Sequence, residues 1–397
     1  MVKKNKPINK NIFLIILLIV IAASIYYLSS QKAGFNPDEE IKAIADKQMQ
    51  EQNAEAAEIE AQAIGYIPDE NTVNRKKSLY QQAPELTGIA GYINTDSNIK
   101  ISGLKGKVIL VDFWTYTCIN CIRTLPFLKS WHEKYADDGL VIIGVHTPEF
   151  EFEKEVDNVK SAVEKYGLKY AVVQDNDYAT WRAYKNRYWP HKYLIDIDGF
   201  IRYDHIGEGA YEETEKRIQE LLKEKMEREG SAKPLEPMDG NVEGADVDFG
   251  EVGTPEIYFG YGFARGNFGN EEGLRPNEII EYKLPKEIKF NYAYFEGTWK
   301  VNNDDSELIS DEGKIILPYS AKVINIVAGS EQGSEIEVFV DNEPLNEENK
   351  GSDMEIDGPT EINDFKLYNL VDFEYGAHTI QINIKGKRFK INTFTFG

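Results

Sequence analysis

From Pro84 to about Lys225, short β-branched runs alternate with stretches whose apolar positions recur every three or four residues, the signature of an α/β unit. VILVDFW (108–114) predicts a buried strand, CIRTLPFLKSWHEKYADD (121–138) a helix and LVIIGVH (140–146) a second strand. EFEKEVDNVKSAVEKYG (151–167) predicts a second helix and YAVVQD (170–175) a third strand, followed by a short helix near 179–185. KYLIDIDGFIRYDHIG (192–207) reads as a hairpin turning at Asp198-Gly199, and a last helix runs from Tyr211 to about Arg228. After Glu251 no helical period survives. EIIEYKL, KIILPYS, VINIVAG, EIEVFVD, HTIQINIK and FKINTFTFG are strand-like runs parted by turn residues, which predicts an all-β sandwich of the jelly-roll type.

The first residues follow neither pattern. Lys3, Lys4, Lys6 and Lys10 precede NIFLIILLIVIAASIYYL, which is uncharged from Asn11 to Leu28 and reaches the short end of what spans a ~30 Å hydrocarbon core. The expectation is a cytoplasmic tail (1–10), a single transmembrane helix (11–29) and the bulk of the chain extracytoplasmic at the cell membrane. A cleaved signal peptide is the competing reading, and it leaves the remaining chain on the same side. SSQKAGFNPDEE offers no clean small-x-small cleavage site, and no cysteine follows for a lipid anchor. Residues 30–82, rich in Glu, Gln and Ala, read as a polar stalk, helical or disordered. Residues 230–250, dominated by Gly, Pro and acid, read as a linker, so the working domains are 83–229 and 251–397.

Charge narrows the partners. The chain of 397 residues carries 67 acidic against 45 basic side chains, a net −22, which argues against nucleic acid or anionic lipid as the main partner. Its only two cysteines, Cys118 and Cys121, stand together in WTYTCINC. A lone C-x-x-C closes almost no chain, so it is a poor structural staple. A zinc site would want four ligands, and no further cysteine is available. Exchange chemistry suits the pair. If Cys118 opens the helix after VILVDFW, its sulfur meets the positive end of the helix dipole and thiolate is favoured. Cys118 is then the attacking nucleophile and Cys121 the resolver. Asp112 is an acid in an otherwise apolar strand: either a proton acceptor for Cys121, with its pKa raised by burial, or an Asp hydrogen-bonded for structure. Pro126 falls inside the helix, and Pro190 in RYWPHKYLID stands just before a strand.

The order VDFW-x-x-x-CxxC, a helix proline five residues past the second cysteine and a proline before the next-to-last strand resemble the thioredoxin superfamily. The string APELTGIAGYINTDSNIKISGLKGKVILVDFWTYTCINCIRTLPFL, with GVHTPEFEFE and RYWPHKYLIDIDG, is similar to the extracytoplasmic redoxin portion of DipZ-type proteins. In that family a β-sandwich like a carbohydrate-binding module often follows, and TPEIYFGYGF and the final FTFG look similar to its start and finish. The resemblance implies a thioredoxin-like fold, a redox-active Cys118–Cys121 pair with no dissociable cofactor, a buried acid at Asp112 and a cis-proline at Pro190. Clients would be protein thiols and disulfides. DipZ-type proteins commonly carry a multi-helix CcdA-like electron-conducting membrane domain; with one span here, such a donor would be a separate protein.

Departures from the family pattern matter too. Ile119 and Asn120 replace the Gly-Pro of thioredoxin between the cysteines, so the direction of electron flow does not carry over. Related tethered reductases often have a glutamate where this chain has Thr124, and Glu149 in HTPEF is a candidate substitute. Trp114, Thr117 and His191 complete the supporting set, with Trp114 and Arg123 expected to shape the surface around Cys118. Alternatives on the same fold are a thiol peroxidase, suggested by Thr115-x-x-Cys118, and a copper chaperone using a histidine among His132, His146, His191 and His205. Tyr258, Phe259, Tyr261, Phe263, Phe268, Tyr292, Tyr294, Phe295 and Trp299 could stack sugar rings or fill the sandwich core. A non-catalytic protein that binds cell-wall glycan is therefore the second functional class.

Overall fold

A six-stranded sheet forms the first half of the protein: β1 (Gly91–Ile93), β2 (Val108–Trp114), β3 (Leu140–His146), β4 (Ala171–Gln174), β5 (His191–Ile195) and β6 (Ile201–Ile206), in spatial order β1-β4-β3-β2-β5-β6. The computed structural model describes residues 68–231, 233–237, 242 and 247–397. The expected tail, membrane anchor and most of the stalk lie outside the described residues, as does part of the linker. Among the described residues no helix is long and apolar enough to cross a membrane.

Strand β2 is buried at every position, parallel to β3 on one side and antiparallel to β5 on the other. A strand covered on both faces reads as one continuous apolar run, and VILVDFW does so except at Asp112. Ile109, Val111 and Phe113 join one core cluster with Ile143, Val145, Val173 and Tyr193. By strand alternation Leu110, Asp112 and Trp114 point to the opposite face.

Among the described residues five helices accompany the sheet: α1 (Glu70–Leu79), α2 (Ile119–Tyr135), α3 (Val156–Tyr166), α4 (Ala179–Ala183) and α5 (Tyr211–Arg228). Helix α2 starts two residues before the expected 121 and continues through Pro126. The second expected helix is instead a 3-10 turn at Glu151–Lys154 and then α3, parted by extended Glu155. The cause is Glu153, whose fully buried carboxylate accepts the backbone amides of Glu149 and Phe150 and closes the turn on itself.

The second half is a 12-stranded sheet running from Ile257 to Phe396, with antiparallel pairing throughout its ladders. Its strands share one apolar core, to which Ile315, Ile336 and Ile382 contribute from one end of the sheet and Ile324, Tyr368 and Phe394 from the other. The α/β unit and this β domain belong to one compact unit, Asp69–Gly397. Phe150 is buried with Tyr258 and Val327, and Phe152, Phe263 and Leu367 pack around them.

Helix α1 lies within the range expected to be stalk, yet it is docked. Lys76 is 4% exposed, with its ammonium 2.7 Å from Asp196 and 2.5 Å from both Asp198 and Glu224. Arg202 pairs with Asp196 and Glu224, and Arg228 with Asp198, so three carboxylates face three cations. A polar composition hid the docking of this helix because its anchor is electrostatic. Replacing Lys76 by Met leaves buried acid undercompensated, so we expect a loss of about 3–5 kcal/mol in urea unfolding and faster proteolysis between Asp69 and Gln82.

Candidate active site

The loop after β2 carries the two thiols. Cys118 is the N-cap of α2: its Sγ accepts the Cys121 amide at 3.2 Å, satisfying one of the amides that a helix start leaves open. Its own amide donates to the Thr115 carbonyl at 3.3 Å, which closes the turn out of β2. Cys118 is partly exposed and Cys121 buried, both as free thiols. Burial and the neighbouring Cys118 push the Cys121 thiol well above its ordinary pKa.

Asp112 stands on the strand that feeds this loop, 1% exposed, with Oδ1 lacking a hydrogen-bond partner. Burial raises its carboxyl to about 7, opposed by the charge of Lys192. Lys192 was not among the expected site residues. It sits directly opposite Asp112 in the β2–β5 ladder, which puts the two side chains on the same face. It is 1% exposed and donates to the Gly207 carbonyl at 3.0 Å. Burial lowers its pKa, while Asp112, Cys121 and Glu208 pull it up. The sequence offered one signal: a lysine inside a strand buried at all five positions. Only the register of that strand shows what the lysine faces.

The other expected residues disperse. The Trp189–Pro190 peptide is cis, and the Pro190 carbonyl accepts the Gly207 amide at 2.8 Å. His191 has both ring nitrogens engaged, by Asn186 at 2.6 Å and Asp204 at 3.0 Å, so it ties the residues after Pro190 to β6. Trp114 shapes no surface: it is fully buried, edge-on to His146, because it ends the central strand. A Cβ at Gly144 would lie 2.9 Å from its Nε1, so glycine makes room for the indole. Arg123 is bound by both oxygens of Glu208, at 2.8 and 2.7 Å, and by Asn120. Thr124 donates back to the Asn120 carbonyl at 2.9 Å.

Glu149 faces away from the role expected of it, because its carboxylate accepts the Tyr258 hydroxyl of the β domain at 2.8 Å. Burial and nearby Glu153 raise it to about 8. The acid that reaches the redox loop is Glu153, which accepts the Thr117 hydroxyl at 2.5 Å.

The Thr115 hydroxyl lies 3.3 Å from Nε2 of His146, whose pKa burial lowers to about 3. Among the described residues the cluster spaced to hold a metal is Asp196, Asp198 and Glu224, and Lys76, Arg202 and Arg228 already occupy it. Most of the aromatics that could either stack sugars or fill the core are packed inside. Phe259, Phe295 and Trp299 fill the core of the β domain with Phe268 against them, and Tyr258 and Phe263 pack on Phe150. Tyr294 is buried, and Tyr261 and Tyr292 are half-buried.

Two parts of the chain match known families. Residues 79–204 match the AhpC/TSA family, and residues 254–397 match the thioredoxin-like C-terminal domain family. Thiol-disulfide oxidoreductase ResA of Bacillus cereus is 31% identical over 123 residues, 31% of this chain and 68% of ResA. The chain belongs to the thiol–disulfide oxidoreductase family. Protein DipZ of Mycobacterium tuberculosis is 38% identical over 251 residues, covering 62% of this chain. The chain spans 35% of the length of DipZ. A solution structure of an oxidised thioredoxin-like protein aligns at 29% identity and a TM-score of 0.34, over 37% of this chain and 97% of that chain.

Asp112 sets a pH dependence. Unfolded, its carboxyl ionises near 3.8; folded, it stays protonated up to about 7. Its contribution to stability is therefore greatest below the unfolded value and is lost as pH rises through the folded one. Three units correspond to roughly 4 kcal/mol, less whatever Lys192 loses when its opposite charge is removed. Asp112→Asn should melt with the parent at pH 4 and a few degrees above it at pH 8.

Proposed function

We propose that this chain is a membrane-anchored, extracytoplasmic oxidoreductase that exchanges electrons with protein clients through Cys118 and Cys121. The observation that carries the exchange chemistry is the stacking of three groups. A partly exposed sulfur caps α2, a buried thiol lies one turn behind it, and the charge of a buried carboxyl on the preceding strand acts on that second thiol. The location rests on the lysines and the uncharged run of residues 1–28.

Running as a reductase, the Cys118 thiolate attacks one sulfur of a client disulfide. The client S–S bond breaks, a mixed disulfide forms, and the released client thiolate takes a proton. Asp112, ionised, accepts the Cys121 proton, and the Cys121 sulfur attacks Cys118. The second client thiolate leaves, and the Cys118–Cys121 bond holds the oxidised state. Two electrons pass to the client. Lys192 favours the anionic forms of Asp112 and Cys121 during this step. The Trp189–Pro190 segment offers backbone to the client chain, the Pro190 carbonyl itself being taken by Gly207. Re-reduction calls for electrons from outside the domain, which a separate CcdA-like membrane protein would supply. Run backwards, the same steps oxidise a client dithiol.

Equilibration in glutathione buffers tests the reading. The wild type should form one intramolecular disulfide, Cys121→Ser should accumulate a mixed disulfide at Cys118, and Cys118→Ser should do neither. A potential near about −270 mV identifies a reductant and one near about −120 mV a donor of disulfides. Failure of the wild type to close a disulfide at any poise overturns the exchange mechanism.

A further inference from the structure

The segment from Glu149 to Glu153 stands between the redox loop and the β domain and holds on to both. On the loop side, one Glu153 carboxylate oxygen accepts the hydroxyl of Thr117, the residue before Cys118. The other accepts the amides of Glu149 at 2.5 Å and Phe150 at 2.9 Å. On the far side, Glu149 accepts the Tyr258 hydroxyl at 2.8 Å, and the Glu151 amide donates to Asp304 at 2.9 Å. Phe150 is buried against Tyr258 and Val327, and Phe152 packs on Phe365 with ring centroids 5.1 Å apart.

Glu153 is fully buried, and among the described residues it makes no ion pair with Lys or Arg. Burial raises the pKa of this carboxyl, and the hydrogen bonds it accepts replace part of its hydration and oppose the rise. Here those bonds come from Thr117 and from two amides that point inward only while the turn keeps its shape. The turn in turn is gripped from outside by residues of the β domain. The exchange chemistry by itself requires none of this.

We propose that Glu153 is a positioning residue for Cys118 and that the β domain holds it in place, so that a domain without thiols governs the redox behaviour of the pair. The proposal rests on the exchange reading above. Undocking the turn releases Glu153, then Thr117, then the cap in which Cys118 Sγ receives the Cys121 amide.

The test uses the full chain, with two readouts that a merely structural residue would leave alone. These are the equilibrium constant with glutathione and the pH profile of Cys118 alkylation. Glu153→Ala, and separately Tyr258→Phe combined with Asp304→Ala, should each shift the constant at least about threefold, roughly 15 mV, and displace the profile in the same direction. Glu153→Gln should stay closer to the wild type than Glu153→Ala, since its oxygen can still take the amides while its NH2 donates to Thr117. Wild-type values for Glu153→Ala overturn the proposal. A shift in Glu153→Ala with none in the β-domain variant overturns the role of that domain. If the double variant fails to melt cooperatively, Tyr258→Phe alone carries the test, and an unchanged constant there counts against the domain equally. A wild type that forms no disulfide fails differently: the exchange reading falls, and this proposal falls with it.

Discussion

Burial of β2 on both faces is the constraint on which the rest of the site depends. A carboxyl placed in such a strand cannot be hydrated, so its proton is held to about pH 7 instead of being lost near 4. The same burial raises the Cys121 thiol and lowers the Lys192 ammonium. Burial thus moves Asp112 up and Lys192 down, toward each other, while it moves the Cys121 thiol up as well.

The β domain is joined to this centre by more than sequence. Its aromatic wealth goes into its own core and into the contact around Phe150, so the side chains most suited to stacking are spent on packing. The contact includes polar bonds that end on the short turn under the redox loop. The β domain grips the turn that supports Thr117.

Much of the architecture was legible because periodicity survives burial. The apolar run of β2, the alternation in the β domain and the helical spacing of residues 211–228 all correspond to the observed elements. Boundaries slipped where a side chain caps the backbone: Cys118 moved the start of α2, and Glu153 split the next helix. The docking of α1 was hidden because a polar helix held by a buried ion cluster has the composition of a solvated one.

The sequence by itself determined the pairing of the two thiols at the start of a helix, the strand that carries Asp112 and the α/β-then-β order, since each follows from local spacing. Tertiary structure alone decided that Lys192 faces Asp112, that Glu153 and not Glu149 reaches the redox loop, and that Trp114 is sealed inside. These depend on strand register and on contacts between residues far apart in the chain. A shift of one residue in register would turn Lys192 to the other face of the sheet, and no composition or period records that choice.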